Sequence, residues 1–411
     1  MALKIEIVTI GNELLDGLVV NTNAAYLCEE LSKLGLSVRA YQAIPDERAS
    51  LRQRLERALR ENSLVICTGG LGPTCDDNTK HVVAEIFNSG FRFDDGIAAS
   101  LRERYGDDLA SLQHQATVPA KATVLPNEVG TAPALLFEAT TVTLILLPGV
   151  PFEMRSIWEL SVKPYLMSRL SDVVRKITHN ILLTSVREDE IDPLLRRIEK
   201  DYPELDVGIY TKPGMNTVVL SGHEDTPDIH KILQSASALI FEQFSDRAIS
   251  ANTGKIEEAV QQLFISRGLT LSTAESCTGG AIAAKLTSQP GSSQYYQGSI
   301  IAYSNYLKMR LLAVQQDTLE EEGAVSEETA IEMARGALVA TGTEYSLAIT
   351  GIAGPDGGTE QKPVGTVWIA VANRSGFVLT WKLSLKGIRS KIIDATVNAA
   401  LCRLWQAVNY F

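Results

Sequence analysis

Three adjacent side chains able to act as nucleophiles, Ser276, Cys277 and Thr278, stand together in "TAESCTGGAIAAKL". An acidic residue, Glu275, precedes them, and Gly279 and Gly280 open a small-residue helix after them. A nucleophile needs a base. All five histidines, His81, His114, His179, His223 and His230, lie well before this stretch, so no Ser-His or Cys-His pair forms inside the C-terminal part of the chain. Lysine is the natural substitute, because burial makes the neutral amine available. Lys308 in "IIAYSNYLKMRLLAV" is the first candidate, with Tyr303 beside it, and Lys362 is the second. Ser276 sits at a strand-to-helix turn, which aims a side chain into the cleft at the carboxyl end of a sheet, and Gly279 and Gly280 are expected to leave N–H groups free for an anion. Without a histidine, Cys277 would owe its reactivity to the helix dipole alone and otherwise reads as a small apolar filler. Thr278 reads equally as a helix cap. A capped helix with no chemistry is the competing reading of the whole stretch.

Two further segments bear on the same site. "GSSQYYQGSIIAYSN" places Ser292 and Ser293 in a glycine turn, suited to donating hydrogen bonds to a substrate or oxyanion. "SLAITGIAGPDGGTEQKPVGTVWIAVA" reads as strand, loop and strand, with Gly351, Gly354, Gly357 and Gly358 in between. That much glycine suits close backbone approach to a ligand, and equally a mobile loop.

Nearer the N-terminus, "VICTGGLGPTCDDNTKHVVAEIF" follows a strand and opens a helix. Gly69, Gly70, Gly72 and Thr74 could cradle phosphate, and Asp76 with Asp77 could hold a divalent cation through hard oxygen ligands, with Asn12 and Glu13 nearby. Neither a Walker loop nor a dinucleotide fingerprint is present. Acidic residues favouring a helix N-terminus are the plain alternative.

The elements that must position these residues are legible as alternation. From Leu3 to about Leu166, β-type runs ("KIEIVTI", "SLVICTGG", "TVTLILLPG") alternate with helix-period stretches, which implies βαβ units and a mostly parallel sheet. Residues 171–247 read as a small α+β module, 245–255 as a linker, and strand and helix alternation resumes over 252–411. The expected fold class is α/β with a small α+β connector, in three parts: 1–170, 171–247 and 252–411.

At 411 residues the chain exceeds a single core. Its formal net charge of −11 opposes a nucleic-acid surface, so small molecules are the expected partners. Its apolar runs are strand-length, short of the roughly 20 residues of a membrane span, and the start lacks the order of a signal peptide, so the cytoplasm is the expected compartment. Five cysteines without metal-type spacing suggest reduced thiols.

"TAESCTGGAIAAKLT", "GSSQYYQGSIIAYSNYLK", "GAVS" and "ITGIAGPDGGTEQKPVGTVWIAVA" together resemble the nicotinamide-nucleotide amidohydrolase domain of the CinA family, over about 252–411. The resemblance implies hydrolysis of nicotinamide mononucleotide to nicotinate mononucleotide and ammonia by a Ser/Lys pair without a cofactor. By position the pair is Ser276 and Lys308, with Tyr303 and Ser293 near it and Glu275, Thr278, Gly279, Gly280, Gly351 and Gly354 around the substrate. The family's Gly-Asp-Arg, whose arginine is expected to hold phosphate, reads here "KGIRSK", with Arg389 kept and Ile388 in the acidic place. "TGGLGPTCDD", "GNELLDGLVVNTNAAYL" and "LPGVPFEM" are similar to the other CinA domain, a molybdopterin-binding-like three-layer fold, over roughly 1–170. There the resemblance implies a divalent-metal-dependent ADP-ribose pyrophosphatase. The middle module resembles the KH-like connector of longer CinA proteins, although "LTSVREDEIDPLL" departs from it and no basic GXXG loop suggests RNA binding. A homodimer is a further expectation from the resemblance. The competing class is a non-catalytic pterin- or nucleotide-binding scaffold linked to competence.

Overall fold

The computed structural model of the chain describes residues 3–74, 77–106, 110–169, 174–245, 247–251 and 253–410. It divides into two compact units, Met1–Ile177 with His223–Asp225, and Thr178–Gly222 with Thr226–Phe411.

The first unit contains strands β1 (Ile5–Ile10), β2 (Val38–Ile44), β3 (Leu64–Thr68), β4 (Phe91–Phe93), β5 (Thr117–Pro119), β6 (Thr123–Leu125), β7 (Ala134–Glu138) and β8 (Thr143–Leu147). Six of them form one sheet in the order β2-β1-β3-β8-β7-β6. The first four in that order are parallel, and β7 and β6 turn antiparallel. Its strands are apolar on both faces, so the strict side-chain alternation divides the residues between two cores. Ile5, Ile7, Leu64, Ile66, Ile145 and Leu147 pack with helix Thr22–Lys33 and the helical run from Pro151. Val8, Ile10, Val65, Cys67, Leu144 and Leu146 pack with helices Arg48–Glu61 and Thr79–Ile86. The mostly parallel sheet is the one anticipated from the alternation, and its three α/β layers are those that the resemblance implied.

The second unit holds two sheets. Strands β9 (Lys176–Thr184), β10 (Asp206–Lys212), β11 (Met215–His223) and β12 (Ala248–Ser250) are ordered β10-β11-β9-β12. Residues of this sheet pack on the C-terminal helix Arg389–Tyr410: Asn398 Nδ2 donates to Pro213 O at 2.9 Å, and the Cys402 and Met215 sulfurs lie 3.8 Å apart. The larger sheet contains β13 (Leu271–Glu275), β14 (Tyr296–Ile301), β15 (Tyr345–Gly351), β16 (Thr366–Asn373) and β17 (Val378–Ser384), in the order β14-β13-β15-β16-β17. β13 lies between β14 and β15, one strand in from the edge, and is parallel to both.

Alternation divides the second unit's large sheet as well. Leu271, Leu347, Ile349, Val367 and Ile369 face helices Ile256–Arg267 and Arg389–Tyr410. The other face is lined with small residues, Ala274, Ala348, Ala370 and Ala372, against helix Glu327–Thr341. Small side chains bring that helix close, and it in turn carries helix Asn305–Leu312, on which Lys308 stands. A Cβ at Gly336 would meet Leu312 O at 1.9 Å, so only glycine there lets the Lys308 helix seat.

Candidate active site

Ser276 follows β13 directly, and its N–H donates to Ile349 O of β15 at 3.0 Å. Ala302, just past β14, donates its N–H to Glu275 O at 2.9 Å. The residue types explain the local turn: Gly279 (φ 60°) and Gly280 (φ 98°) take the left-handed conformation that costs other residues energy. Across β14, Ser304 caps helix Asn305–Leu312 by accepting from Leu307 N at 3.3 Å. That cap points Lys308 back toward β13.

Lys308 is 2% exposed and Ser276 7%. The ammonium nitrogen of Lys308 lies 3.0 Å from Ser276 Oγ, 3.1 Å from Ala302 O and 3.2 Å from Tyr303 O. Burial pushes its pKa below the ordinary lysine value, since a charged amine loses solvation there. Burial acts oppositely on Cys277, whose thiol is pushed up to about 12. With its Sγ packed where a Cβ at Gly351 would come within 3.1 Å, Cys277 is apolar filling.

Arg389 begins the C-terminal helix and reaches two other segments. It donates through Nη1 to Gly354 O at 2.8 Å and through Nη2 to Tyr303 Oη at 3.0 Å. Ser276, Tyr303, Lys308, Gly354 and Arg389, far apart in sequence, are thereby linked by hydrogen bonds, and Gly351 joins them through Cys277. Ile388 is 67% exposed and contributes no charge.

Other residues fall elsewhere than the sequence suggested. Glu275 cannot contact a substrate, because it is fully buried and both oxygens are occupied by protein donors. Oε2 accepts from Thr278 Oγ1 (2.7 Å), Gly280 N (3.0 Å) and Ile282 N (3.1 Å), and Oε1 accepts from Ala283 N (2.9 Å) and Ser299 Oγ (3.2 Å). The N–H groups expected to be free at Gly279 and Gly280 are therefore spent, the first on Ser276 O at 3.1 Å and the second on Glu275. Thr278 directs its hydroxyl inward. Ser293 belongs to the opposite end of the strands: it precedes β14, Ser276 follows β13, and the parallel register pairs Leu271 with Tyr296 and Glu275 with Ile301. The length of a five-residue strand, about 16 Å, separates them. Lys362 is half-buried and donates to Glu322 O at 2.5 Å, which removes it as the base. Sequence reasoning missed the Ala302 and Tyr303 carbonyls and the seating role of Gly336. The only signal for the last was a lone glycine inside a helical pattern.

In the first unit, β3 ends in a turn that lines a cavity of ≈ 450 Å³ with Gly69, Gly70, Gly72, Glu13, Asp77 and Glu153. Gly69 N–H is used on Leu147 O at 3.1 Å and so is not available to phosphate. Thr74 also turns away from that role, since its N–H and hydroxyl donate to Asp77 Oδ2 at 2.9 and 2.5 Å. Asp76 lies outside the described residues. Among the described residues, no three His, Cys, Asp or Glu side chains converge into a metal-holding group. Asn12, expected near this site, donates its N–H to Asp46 Oδ2 at 2.9 Å. Glu153 accepts from Asn127 Nδ2 at 2.6 Å, and burial raises its pKa above the usual carboxylate value.

The model of the CinA C-terminal domain matches residues 253–408, and that of the "Probable molybdopterin binding domain" matches residues 6–168. A Desulforudis audaxviator protein that carries a competence-damage inducible name is 37% identical over 406 residues, 97% of each chain. The chain belongs to the CinA family. A CinA-like protein of Dictyoglomus thermophilum is 36% identical over 403 residues, again 97% of each chain. The crystal structure of the competence/damage inducible protein CihA from Agrobacterium tumefaciens is 43% identical, covers 38% of this chain and 96% of its own, and has a TM-score of 0.37. Among the described residues, no helix is long and apolar enough to cross a membrane.

Proposed function

We propose that the C-terminal site hydrolyses the carboxamide of nicotinamide mononucleotide to nicotinate mononucleotide and ammonia. The observation that carries this reading is the triangle of acceptors around Lys308 Nζ: Ser276 Oγ and two carbonyls. A neutral amine has two N–H bonds and one lone pair. The Ala302 and Tyr303 carbonyls take the two N–H bonds, which leaves the lone pair for the Ser276 hydroxyl proton. Ser276 Oγ then attacks the amide carbon as Lys308 takes that proton. The proton passes to the amide nitrogen, the C–N bond breaks, and ammonia leaves an acyl-serine ester. Water attacks the ester with Lys308 again as base, releasing the acid and restoring Ser276. Among the described residues no acceptor meets the Thr278 N–H, which is suited to the oxyanion. Arg389 is the group suited to the phosphate, and Tyr303 to a place beside the ring. The chemistry calls for no cofactor, and a homodimer belongs to the same proposal.

Ammonia release from nicotinamide mononucleotide by the purified protein, lost in Ser276→Ala, tests the reading. Binding of the nucleotide without turnover would favour a non-catalytic scaffold instead.

For the first unit we propose a phosphorylated-nucleotide site, because a glycine turn and the carboxylates Glu13, Asp46, Asp77 and Glu153 line one cavity. Hydrolysis of ADP-ribose to AMP and ribose 5-phosphate is the activity to assay, with and without an added divalent cation. The carboxylates are hard oxygen donors suited to such an ion, although the described residues alone do not assemble three of them around one point. Metal-dependent turnover that disappears in Asp77→Ala supports this proposal. Turnover without metal overturns its metal requirement.

A further inference from the structure

Glu275 is the most heavily bonded side chain near the nucleophile, and the chemistry proposed above leaves it no part. It is 0% exposed, its carboxylate accepts from five donors, and four of the five lie between residues 278 and 283. The fifth, Ser299 Oγ, comes from β14. The backbone at Glu275 and Ser276 is already tied to β14 and β15 through Ala302 N–H and Ile349 O. What the carboxylate adds lies downstream. It gathers the Thr278 hydroxyl and the N–H groups of Gly280, Ile282 and Ala283 onto one point, which sets the curvature of the turn that carries Ser276 and Thr278. A buried carboxylate is costly to desolvate and persists only where several donors repay it, as these five do.

We propose that Glu275 is a positioning residue: it holds the Ser276 turn in its attacking geometry by drawing the donors of the following helix onto its own carboxylate, and it thereby closes that helix start to the substrate's phosphate. The proposal rests on the serine–lysine reading but not on the identity of the amide. Glutamine at this position has one acceptor oxygen, so its NH2 must face either the three donors at Oε2 or the two at Oε1. The turn then opens. The attacking oxygen shifts while Lys308 and Arg389 stay where their own segments hold them.

The test uses the full chain and two readouts. In the first, kcat and KM for nicotinamide mononucleotide are measured for Glu275→Gln. We expect kcat to fall by about 100-fold, the scale of a misplaced reacting group, with KM and the pH of half-maximal kcat unchanged. In the second, the rate at which a fluorophosphonate labels Ser276 is measured in wild type, Glu275→Gln and Ser276→Ala. Labelling should slow in Glu275→Gln and vanish in Ser276→Ala. Wild-type labelling without ammonia release would sink the substrate assignment while leaving the Glu275 comparison readable. A raised KM with unchanged kcat would mean that Glu275 meets the substrate, and wild-type rates would mean that the turn holds without it. Either result overturns the proposal. Should Glu275→Gln fail to fold, Ser299→Ala and Thr278→Val each remove one donor and should lower kcat and labelling several-fold in folded protein. A loss of thermal stability alone, with both rates intact, would reduce Glu275 to a structural role.

Discussion

Each unit ends an interior parallel strand in a glycine turn that leads into a helix, yet the two turns use their donors differently. After β13, the last strand residue is Glu275, long enough and charged enough to take up the Gly280, Ile282 and Ala283 N–H groups. After β3 the equivalent residue is Thr68, buried and unable to reach so far, and the turn lines an open cavity with Gly70, Gly72 and carboxylates around it. A glycine turn at the end of a strand is therefore not in itself an anion site. What fills the donors decides it. In the second unit the Gly279, Gly280, Ile282 and Ala283 N–H groups are filled internally and the turn presents a hydroxyl, whereas in the first the Gly69 and Thr74 N–H groups are used and the turn faces a cleft. On the proposed reading the second unit therefore needs a separate cation for the substrate's phosphate, and Arg389 is tied to the site through Tyr303 and Gly354.

The largest effect should come from the base. Lys308→Met should lower kcat by roughly 1000-fold, within the range of general-base catalysis, and in wild type kcat should rise with pH through a value below the ordinary lysine pKa of 10.5. The same substitution should raise thermal stability at neutral pH. Because burial depresses the folded-state pKa, the cost of the buried ammonium is fully present below that value and fades as pH climbs toward 10.5, so the stability gain should shrink over the same span. Melting curves of both proteins across that range check the sign.

Next in size is Arg389→Ala, which should raise KM for nicotinamide mononucleotide by about 10- to 100-fold, the equivalent of ~1.5–3 kcal/mol for a charged hydrogen bond, and leave the phosphate-free riboside little changed. An equal loss with both substrates would remove Arg389 from the phosphate. Gly336→Ala should act at a distance: the added methyl meets Leu312 O, so the helix carrying Lys308 must shift, lowering kcat by about tenfold with a stability loss of ~1–3 kcal/mol. Unchanged kinetics there would show that the helix seats without the glycine. Cys277→Ala should change kcat by less than about twofold, because burial keeps the thiol protonated.

The layers were legible because β-type runs and helical periods alternate so regularly along both units, and because apolar residues occupy both faces of the strands. The proposed base was reached by elimination, since no histidine follows His230, and the structure brings Lys308 Nζ within 3.0 Å of Ser276 Oγ. The rest depended on direction and on length of reach. Ser293 is close in sequence to β14, but sequence does not say at which end of the strand the cleft opens, and the parallel register puts the two serines at opposite strand ends. Glu275 was placed around the substrate by the family resemblance, whereas its depth in the sheet belongs to the tertiary structure. Gly279 and Gly280 were read as leaving N–H groups free for an anion, but those groups are taken by Ser276 O and the Glu275 carboxylate. In the first unit, Thr74 and Asp77 satisfy each other locally, a pairing that their separation allows but does not require.

The serine–lysine unit is tested most directly by comparing ammonia release in Ser276→Ala, Lys308→Ala and the double variant. Nucleophile and base act as one device only if the proton held between them is the one that moves. The three variants should then fall to about the same residual rate. An additive loss in the double variant, or a Ser276→Ala protein that still turns over while Cys277→Ala does not, would contradict the account.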